Sequence, residues 1–489
     1  MFKKWLNPPI TNYMYIYLFN WTNMQEATNH NVKPNFNQHG PYVFREKRSK
    51  EDIIWHDNDT MTFYNRRTWF FEEEMSGASL DDVIVLPHPP TVIAAKLGKN
   101  MNRYVKKVMN YALQTEGGML AANKTAEKWL FKGFDDPLTE FAALFLTEII
   151  SFPLEKFGLL YLRNASKTYE GTYTIHTGQT NLSLLGELAE WQGSNQSYAF
   201  KGECGHINGS TGDIFAPKRI PEDSVSVFIP DTCRSIKLFP SERINYRGIE
   251  TIKYSTNDQS FDNGQLYPNM KCFCSEKDEV CPPTGVIDMS SCLLGAPLYL
   301  SLPHFLNADP SYTDGITGMQ PDPQEHDFYI IMEPRLGTPL NGNANMQINM
   351  LMEPDDSIDV MKDINEFYAP LVIISDRGDL NESFAKLIRN KYSFVAAMVI
   401  LFLLDSEEID RIDHKFLEPG HTHMEYDSDR ALIERNIETP RDCYQFFIST
   451  MLSIKEWPLS EWREIKTKSL KAFFTVLDVE GRLSSSQIV

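Results

Sequence analysis

Four cysteines lie close together in the second half of this 489-residue chain. Three are in the segment KCFCSEKDEVC, residues 271–281, and Cys292 follows shortly after. Such a group can hold zinc, act as a redox pair or form disulfide bonds, and these chemistries belong to different compartments. Zinc sites usually place two to four residues between paired cysteines, whereas one residue separates Cys272 from Cys274, and the chain has no C-x-x-C motif. The pattern favours disulfides, with zinc as the alternative.

N-glycosylation motifs of the form Asn-x-Ser/Thr occur only before residue 390. Their asparagines are Asn20, Asn58, Asn123, Asn164, Asn181, Asn195, Asn208 and Asn381. Six of the seven cysteines, from Cys204 to Cys292, lie in the same part of the chain. Because glycosylation and disulfide formation both belong to the secretory pathway, this part is predicted to be lumenal or extracellular.

The charge of the chain limits the partners that it can bind. Its formal net charge is -19 and its pI is about 5.1. Nucleic acid is therefore not a predicted partner, because an acidic surface is repelled by the phosphate backbone.

Two apolar segments of the sequence bear on targeting and membrane insertion. The run FVAAMVILFLL, residues 394–404, would rise only about 16 Å as a helix, against about 30 Å of hydrocarbon. At the other end, Pro8 and Pro9 interrupt any apolar stretch of a signal peptide. The sequence therefore predicts neither a clear signal nor a complete membrane span.

Hydrophobic spacing predicts a β protein with a helical insert. The first ninety residues and the segments around 171–178, 224–230, 327–334 and 345–354 alternate as strands do. Residues 91–150 instead contain three predicted helices, near 103–113, 123–134 and 137–150. The predicted buried face of the first comprises Val105, Val108, Met109, Ala112 and Leu113.

One predicted strand carries an unusual stripe. Met346, Ile348, Met350 and Met352 all fall on one side of residues 345–354. Ordinary core packing accounts for such a stripe. The alternative is the lining of a lipid cavity, since thioethers adapt to varied apolar shapes.

Several longer motifs resemble the class B scavenger receptor family, in the family's order, over about residues 5–390. They are NQHGPYVFRE at 37–46, FKGFDDPL at 131–138, GHINGSTGDIFAP at 205–217, PDTCRSIKLF at 230–239, CLLGAPLYLSLPHFLNADP at 292–310 and TGMQPDPQEHDFYIIMEPRLGTPL at 317–340. The family includes fatty-acid translocase, the high-density-lipoprotein receptor, lysosomal integral membrane protein type 2 and the insect sensory neuron membrane proteins.

The resemblance implies an α+β ectodomain over residues 1–392. Its core would be an antiparallel β-barrel-like sheet with an internal apolar tunnel, and the insert at 91–150 would be a helical apical bundle. It also implies three disulfides in the region 204–292. The implied pairs are Cys204 with Cys272, Cys233 with Cys292, and Cys274 with Cys281.

The implied function is to bind lipids or lipoproteins at the apex and to transfer fatty acid, sterol, phospholipid or carotenoid through the tunnel. The resemblance implies no enzyme site, no metal and no cofactor. Basic residues predicted to form the apical ligand-binding surface are Arg103, Lys106, Lys107, Lys124, Lys128 and Lys132. An ordinary solvated helix face is the alternative. An acidic protein, such as a lysosomal hydrolase carried as cargo, is the alternative ligand. The implied location is the cell membrane or the lysosomal membrane.

The chain departs from the family at both ends. By the resemblance it is expected to begin at the family's first ectodomain strand, without a first span, and residues 393–404 are expected to be only a truncated apolar segment. Residues 405–489 are expected to be an unrelated, mostly helical or irregular tail, similar to a fragment of an insect mobile-element-derived protein. Metal-capable residues in the tail make a metal-dependent nuclease-like activity a minor alternative. They are His414, His421, His423, Glu425, Asp427 and Asp429.

Overall fold

A computed structural model of the chain describes residues 5–6, 10–99, 103–115, 118–138, 156–217, 223–274, 281–380, 382 and 385–386. Fifteen strands lie within these ranges. They are β1 (Ile10–Trp21), β2 (Phe36–His56), β3 (Thr60–Phe71), β4 (Val83–Pro87), β5 (Ala121–Thr125), β6 (Thr172–His176), β7 (Leu188–Trp191), β8 (Val225–Ile229), β9 (Arg234–Tyr246), β10 (Ile249–Ser255), β11 (Val286–Asp288), β12 (Leu298–Ser301), β13 (Tyr329–Glu333), β14 (Thr338–Met352) and β15 (Phe367–Leu380).

Helices are fewer and shorter in the part of the chain that the structure describes. The α-helices are α1 (Pro89–Gly98), α2 (Arg103–Thr115), α3 (Ser311–Asp314) and α4 (Pro323–His326). A π-helical turn spans Lys128–Lys132. Single 3-10 turns are Met24–Glu26, Glu73–Met75, Leu182–Leu184, Gly202–Gly205, Pro230–Thr232, Pro268–Phe273 and Pro303–Phe305.

Thirteen strands form one antiparallel sheet, and β4 and β5 form a separate two-stranded antiparallel sheet. The order of the large sheet is β7-β6-β3-β2-β1-β15-β14-β13-β10-β9-β8, with β11 and β12 attached beside β14. At its centre β1 pairs with β15, from Ile10 opposite Leu380 to Leu18 opposite Val372. The α+β class is therefore confirmed.

The ends of this sheet are β7 and β8, so the predicted barrel is not closed by its ladders among the described residues. The segment at Gly209 and Ser210 nevertheless bonds to both end strands. The Leu188 N–H of β7 donates to the Gly209 carbonyl at 2.7 Å, and the Phe228 N–H of β8 donates to the Ser210 carbonyl at 2.9 Å. This short segment therefore connects the two edges.

One face of the large sheet, called the Met346 face below, can be followed through the strand register. Met346 lies opposite Ile374 of β15, and Ile374 lies opposite Ile16 of β1. Directly opposite residues in antiparallel strands share a face. The same face includes Phe44 of β2 and Trp69 of β3, which pack with Ile16 in the largest buried cluster.

The opposite face of β14 is polar but buried. Asn345, Gln347 and Asn349 alternate along the strand and are each at most 2% exposed. The segment 303–327 covers them. The Asn345 amide donates to the Asp327 carbonyl at 3.0 Å, and the Gln347 amide oxygen accepts from the His304 N–H at 2.7 Å. Buried amides are tolerated because they are hydrogen-bonded.

The helical insert differs from the sequence prediction. The helix predicted near 103–113 is α2, but residues 123–134 form the end of β5 and a π-helical turn instead of a regular helix. Tertiary pairing of β5 with β4 overrides the local helical pattern there. Val108, predicted to be buried, is 54% exposed. The predicted helix at 137–150 lies mostly outside the described residues, as do segment 393–404 and tail 405–489.

Among the residues that the structure describes, no helix is long and apolar enough to cross a membrane.

Substitution of Gly318 can test how closely the segment 303–327 packs against β2. Its φ is +98°, and an added Cβ would meet the Phe36 carbonyl carbon at 2.9 Å and its oxygen closer still. Gly318→Ala is therefore expected to lower the free energy of unfolding by about 2–4 kcal/mol. Gly193 is the matched control, because its φ is +75° but nothing lies within 4 Å of an added Cβ. Urea denaturation would contradict this reasoning if Gly193→Ala cost as much.

Candidate functional site

The Met346 face carries a patch of half-buried apolar side chains on two neighbouring strands. These are Ala344, Met346 and Ile348 of β14 and Ile374 of β15. The first three pack against a buried cluster that includes Ile236, and Met350 and Met352 farther along β14 are fully buried. One end of the predicted methionine stripe is thus ordinary core, while the other leaves apolar surface uncovered.

Beside this patch lies a connected set of charged side chains, called the ion network below. Its cations are Arg48, Lys50, Arg67 and Arg163, and its anions are Glu46, Glu170, Asp213, Asp231 and Asp376. The side chain of Glu46 is 0% exposed and that of Lys50 is 1% exposed. Such burial is unusual for charged groups and requires pairing.

Two arginines on neighbouring strands hold the centre of the ion network. Arg48 and Arg67 are directly opposite each other in β2 and β3. Asp376 of β15 accepts from both guanidinium groups, at 2.7 Å from Arg48 and 2.8 Å from Arg67. Glu46 also contacts both, at 2.9 and 2.7 Å. The two carboxylates offset the repulsion between the arginines.

Burial and pairing act in opposite directions on the carboxyl groups of this network. Burial raises the pKa of Glu46, and the neighbouring Arg48 and Arg67 reduce that increase. Burial would also raise the pKa of Asp213, but Lys50 and Arg48 outweigh it and lower the pKa to about 2. Asp213 therefore stays ionised at any physiological pH.

The structure contains three disulfides, and they are the pairs that the resemblance implies. Cys204–Cys272, Cys233–Cys292 and Cys274–Cys281 have Cα–Cα distances of 5.8, 5.7 and 5.4 Å, all within the normal range for a disulfide. Arg234, next to Cys233, is 3% exposed and stacks on Phe273 with its guanidinium carbon 3.6 Å from the ring centroid. Burial lowers the pKa of Arg234 to about 9.

The predicted apical lysines do not form one uniform cluster. Lys107 and Lys128 are exposed and Lys106 is half-buried. Lys132 contacts the carboxylate of Glu127 at 2.9 Å, and Lys124 lies over the Phe134 ring at 4.8 Å. The side chain of Arg103 lies outside the described part of the structure.

The helix α2 exposes an apolar stripe that the sequence analysis did not predict. Tyr104, Val108 and Tyr111 are spaced by four and three residues and so share one helix face. They are 82%, 54% and 67% exposed. Leu113 is buried. The prediction that Val108 is buried with Leu113 is wrong, because the helical period alone does not determine which of two apolar stripes faces the protein.

Six of the predicted glycosylation sites are exposed on the described surface: Asn58, Asn123, Asn164, Asn181, Asn195 and Asn208. Asn20 is half-buried, and its side-chain oxygen accepts from the Val85 N–H at 2.9 Å. Asn381 lies outside the described residues.

Two histidines meet where the segment 303–327 covers the sheet. The rings of His304 and His326 have centroids 4.7 Å apart. His304 Nδ1 accepts from the Gln320 N–H at 3.2 Å, so its proton is on Nε2, which donates to Gln38 Oε1 at 2.6 Å. Burial, assisted by His326, lowers the pKa of His304 to about 4. The neutral form fits this site.

Within the residues described, no group of three or more His, Cys, Asp or Glu side chains is placed to hold a metal ion. The metal-capable residues of the tail, 414–429, lie outside the described residues.

Comparison with known proteins assigns the family. Residues 1–404 match the CD36 family. Protein peste of Drosophila melanogaster is 32% identical over 386 residues, which are 78% of this chain and 69% of that protein. Scavenger receptor class B member 1 of Mus musculus is 34% identical over 379 residues, 77% of this chain and 72% of the receptor. The chain therefore belongs to the CD36 family.

A third relative extends the match among insect proteins. Sensory neuron membrane protein 1 of Manduca sexta is 31% identical over 411 residues, covering 80% of this chain and 77% of that protein. The resemblance to class B scavenger receptors and insect sensory neuron membrane proteins is thus confirmed.

The histidine pair gives a prediction for pH. The pKa of His304 is about 4 in the folded chain, against an ordinary 6.5, so the unfolded chain binds the proton more readily between these values. Stability should fall as the pH drops from about 6.5 towards 4 and should not fall further below 4 through this group. His304→Gln should reduce that fall by about 1–3 kcal/mol, measured by urea denaturation at pH 7.0 and 4.5. The exposed His56→Gln is the control. Equal pH dependence in all three proteins would contradict the assignment.

Proposed function

We propose that this chain is a membrane-associated receptor that captures lipids or lipoprotein particles at α2 and holds single lipid molecules against the Met346 face. The half-buried patch of Ala344, Met346, Ile348 and Ile374 carries the proposal. Apolar surface left uncovered beside a packed core favours an apolar occupant, because covering it contributes about 25 cal/mol per Å². A fatty acid, sterol, phospholipid or carotenoid has this chemistry. No catalytic group is required.

The proposed enclosure is a barrel-like wall around this face, with an apolar tunnel inside it. Its support is the bonding of Gly209 and Ser210 to both end strands of the sheet. A lipid enclosed in this way is protected from water, which removes the hydration cost of carrying it. Membership of the CD36 family also supports a lipid route.

The proposed capture surface is the exposed stripe of α2. Aromatic and aliphatic side chains on one helix face, with a lysine such as Lys107 beside them, have the chemistry of helices that lie in a lipid interface. A protein cargo with an acidic surface is the second candidate ligand for α2. The lipid is favoured here because a protein cargo would not account for the uncovered apolar patch on the Met346 face.

The proposed location of residues 1–392 is the lumenal or extracellular side of the cell membrane or the lysosomal membrane. Three disulfides and six exposed glycosylation motifs support an oxidising compartment. The relatives include a scavenger receptor and a sensory neuron membrane protein. The tail 405–489 remains a proposed unrelated segment without an assigned activity.

The lipid-holding role can be tested with Met346→Asn/Ile348→Asn. Because each side chain is only half-buried, the fold should tolerate the change, whereas the apolar contact with a lipid is lost. Lipid retained by the purified full chain, measured by native mass spectrometry after loading with stearic acid, should fall about ten-fold or more. The exposed Val83→Asn on β4 is the control. Undiminished retention in the double variant would sink the proposal.

Capture at α2 can be tested by charge reversal. Arg103→Glu/Lys106→Glu/Lys107→Glu should weaken binding to vesicles containing phosphatidylserine by about a hundred-fold, since about 1 kcal/mol is lost for each basic residue near an anionic surface and each 1.4 kcal/mol is a factor of ten. A matched triple reversal uses the exposed residues Lys47, Lys237 and Lys362. Flotation assays at fixed ionic strength measure both. The α2 surface is excluded as the capture site if both triple variants bind equally.

A further inference from the structure

The ion network lies across the Met346 face between two groups of apolar residues. Reading along β3, Phe63 belongs to one buried cluster and Trp69 to another, with Arg67 between them. The same change occurs in β2, where Phe44 is apolar and Glu46, Arg48 and Lys50 are charged. The apolar lining is therefore not continuous along these strands.

The ion network also extends well beyond β2 and β3. Asp376 comes from β15, near the centre of the strand order, while Asp213 precedes β8 and Asp231 follows it. Arg48 contacts both Asp376 at 2.7 Å and Asp213 at 3.4 Å. Arg163 continues the chain of contacts from Glu170, at 3.9 Å, to Asp231, at 2.6 Å. Paired charges thus run from the middle of the sheet to its β8 edge.

Further hydrogen bonds join uncharged side chains to the ion network. Asn65 accepts from Lys50 at 3.3 Å and donates to Glu170 at 3.2 Å. The Tyr173 hydroxyl also donates to Glu170, at 3.0 Å. Separating these pairs to admit an alkyl chain would leave charges buried without partners, and such separation is strongly unfavourable.

We infer that the ion network is the floor of the lipid-holding interior, so that a lipid bound beside Met346 does not reach the apolar cluster around Phe63 and Tyr173. This inference rests on the proposed lipid-holding function. The bound lipid lies on the Trp69 side of the floor. Its polar end is oriented towards the floor, where arginines donate and carboxylates accept hydrogen bonds. The preferred ligand is therefore an amphipathic lipid with one polar end and one apolar tail.

Photo-crosslinking of the unaltered full chain tests this arrangement. The probe is a stearic acid with a diazirine on its alkyl chain, and labelled peptides are mapped by mass spectrometry. Labels are expected on peptides containing Trp69, Met346 or Ile374, and not on those containing Tyr173 or Trp191. Labelling of Tyr173 or Trp191 overturns the inference that the ion network is a floor. Failure of the chain to retain the probe at all overturns the proposed function instead.

Two double variants, each removing one cation and one anion, distinguish a barrier from an apolar cluster that is only too far from the bound lipid to be labelled. Arg48→Met/Asp376→Leu removes one cation and one anion from the floor and should extend labelling to the Tyr173 peptide, to at least about a third of the Met346 signal. The control, Arg45→Met/Glu72→Leu, removes a half-exposed ion pair of 2.7 Å, and Arg45 lies on the other face of β2. It should leave the labelling pattern unchanged. Extension in neither variant overturns the barrier, as does equal extension in both.

Discussion

The antiparallel pairing of β1 with β15 is the constraint on which the other strand positions depend. It joins residues more than 350 positions apart in sequence, with Ile10 opposite Leu380. β2 and β3 continue the sheet on one side of this pair, and β14 and β13 continue it on the other. The register also decides which side chains share a face. A slip of one residue would exchange the apolar and polar faces of β14.

Both faces of β14 have a defined role because of that register. Met346 and Ile348 are left half-buried on one face, while on the other face the Asn345 and Gln347 amides hydrogen-bond to the segment 303–327. The polar face fixes the strand, and the apolar face remains available to a lipid. The ion network makes this face polar beside the apolar patch, so the apolar surface does not continue along the whole of the face. The proposed preference for lipids with one polar end rests on that contrast.

Much of the fold could be predicted from the sequence where the signal is local. Alternation located β6 and β14, and the family motifs implied the cysteine pairs, which six cysteines alone leave among fifteen possibilities. Local signals failed where tertiary contacts decide. Residues 123–125 pair with β4 despite a helical pattern, and Asn345 has the sequence appearance of a solvent-facing residue although it is buried. The ion network has no local signature at all, because Arg48 and Asp376 meet only through the β1–β15 junction.

That junction also determines how the sheet would respond to tension. Ile10 and Leu380 are directly opposite each other, so the start of β1 and the end of β15 lie at the same end of the sheet. Force drawing these ends apart would act perpendicular to the strands and load the inter-strand hydrogen bonds one after another, as in opening a zipper. Shear along the strands, which loads many bonds together, is the stronger geometry. A force that moves the two ends together therefore spares the junction, whereas unequal pulling on them opens the sheet at its centre.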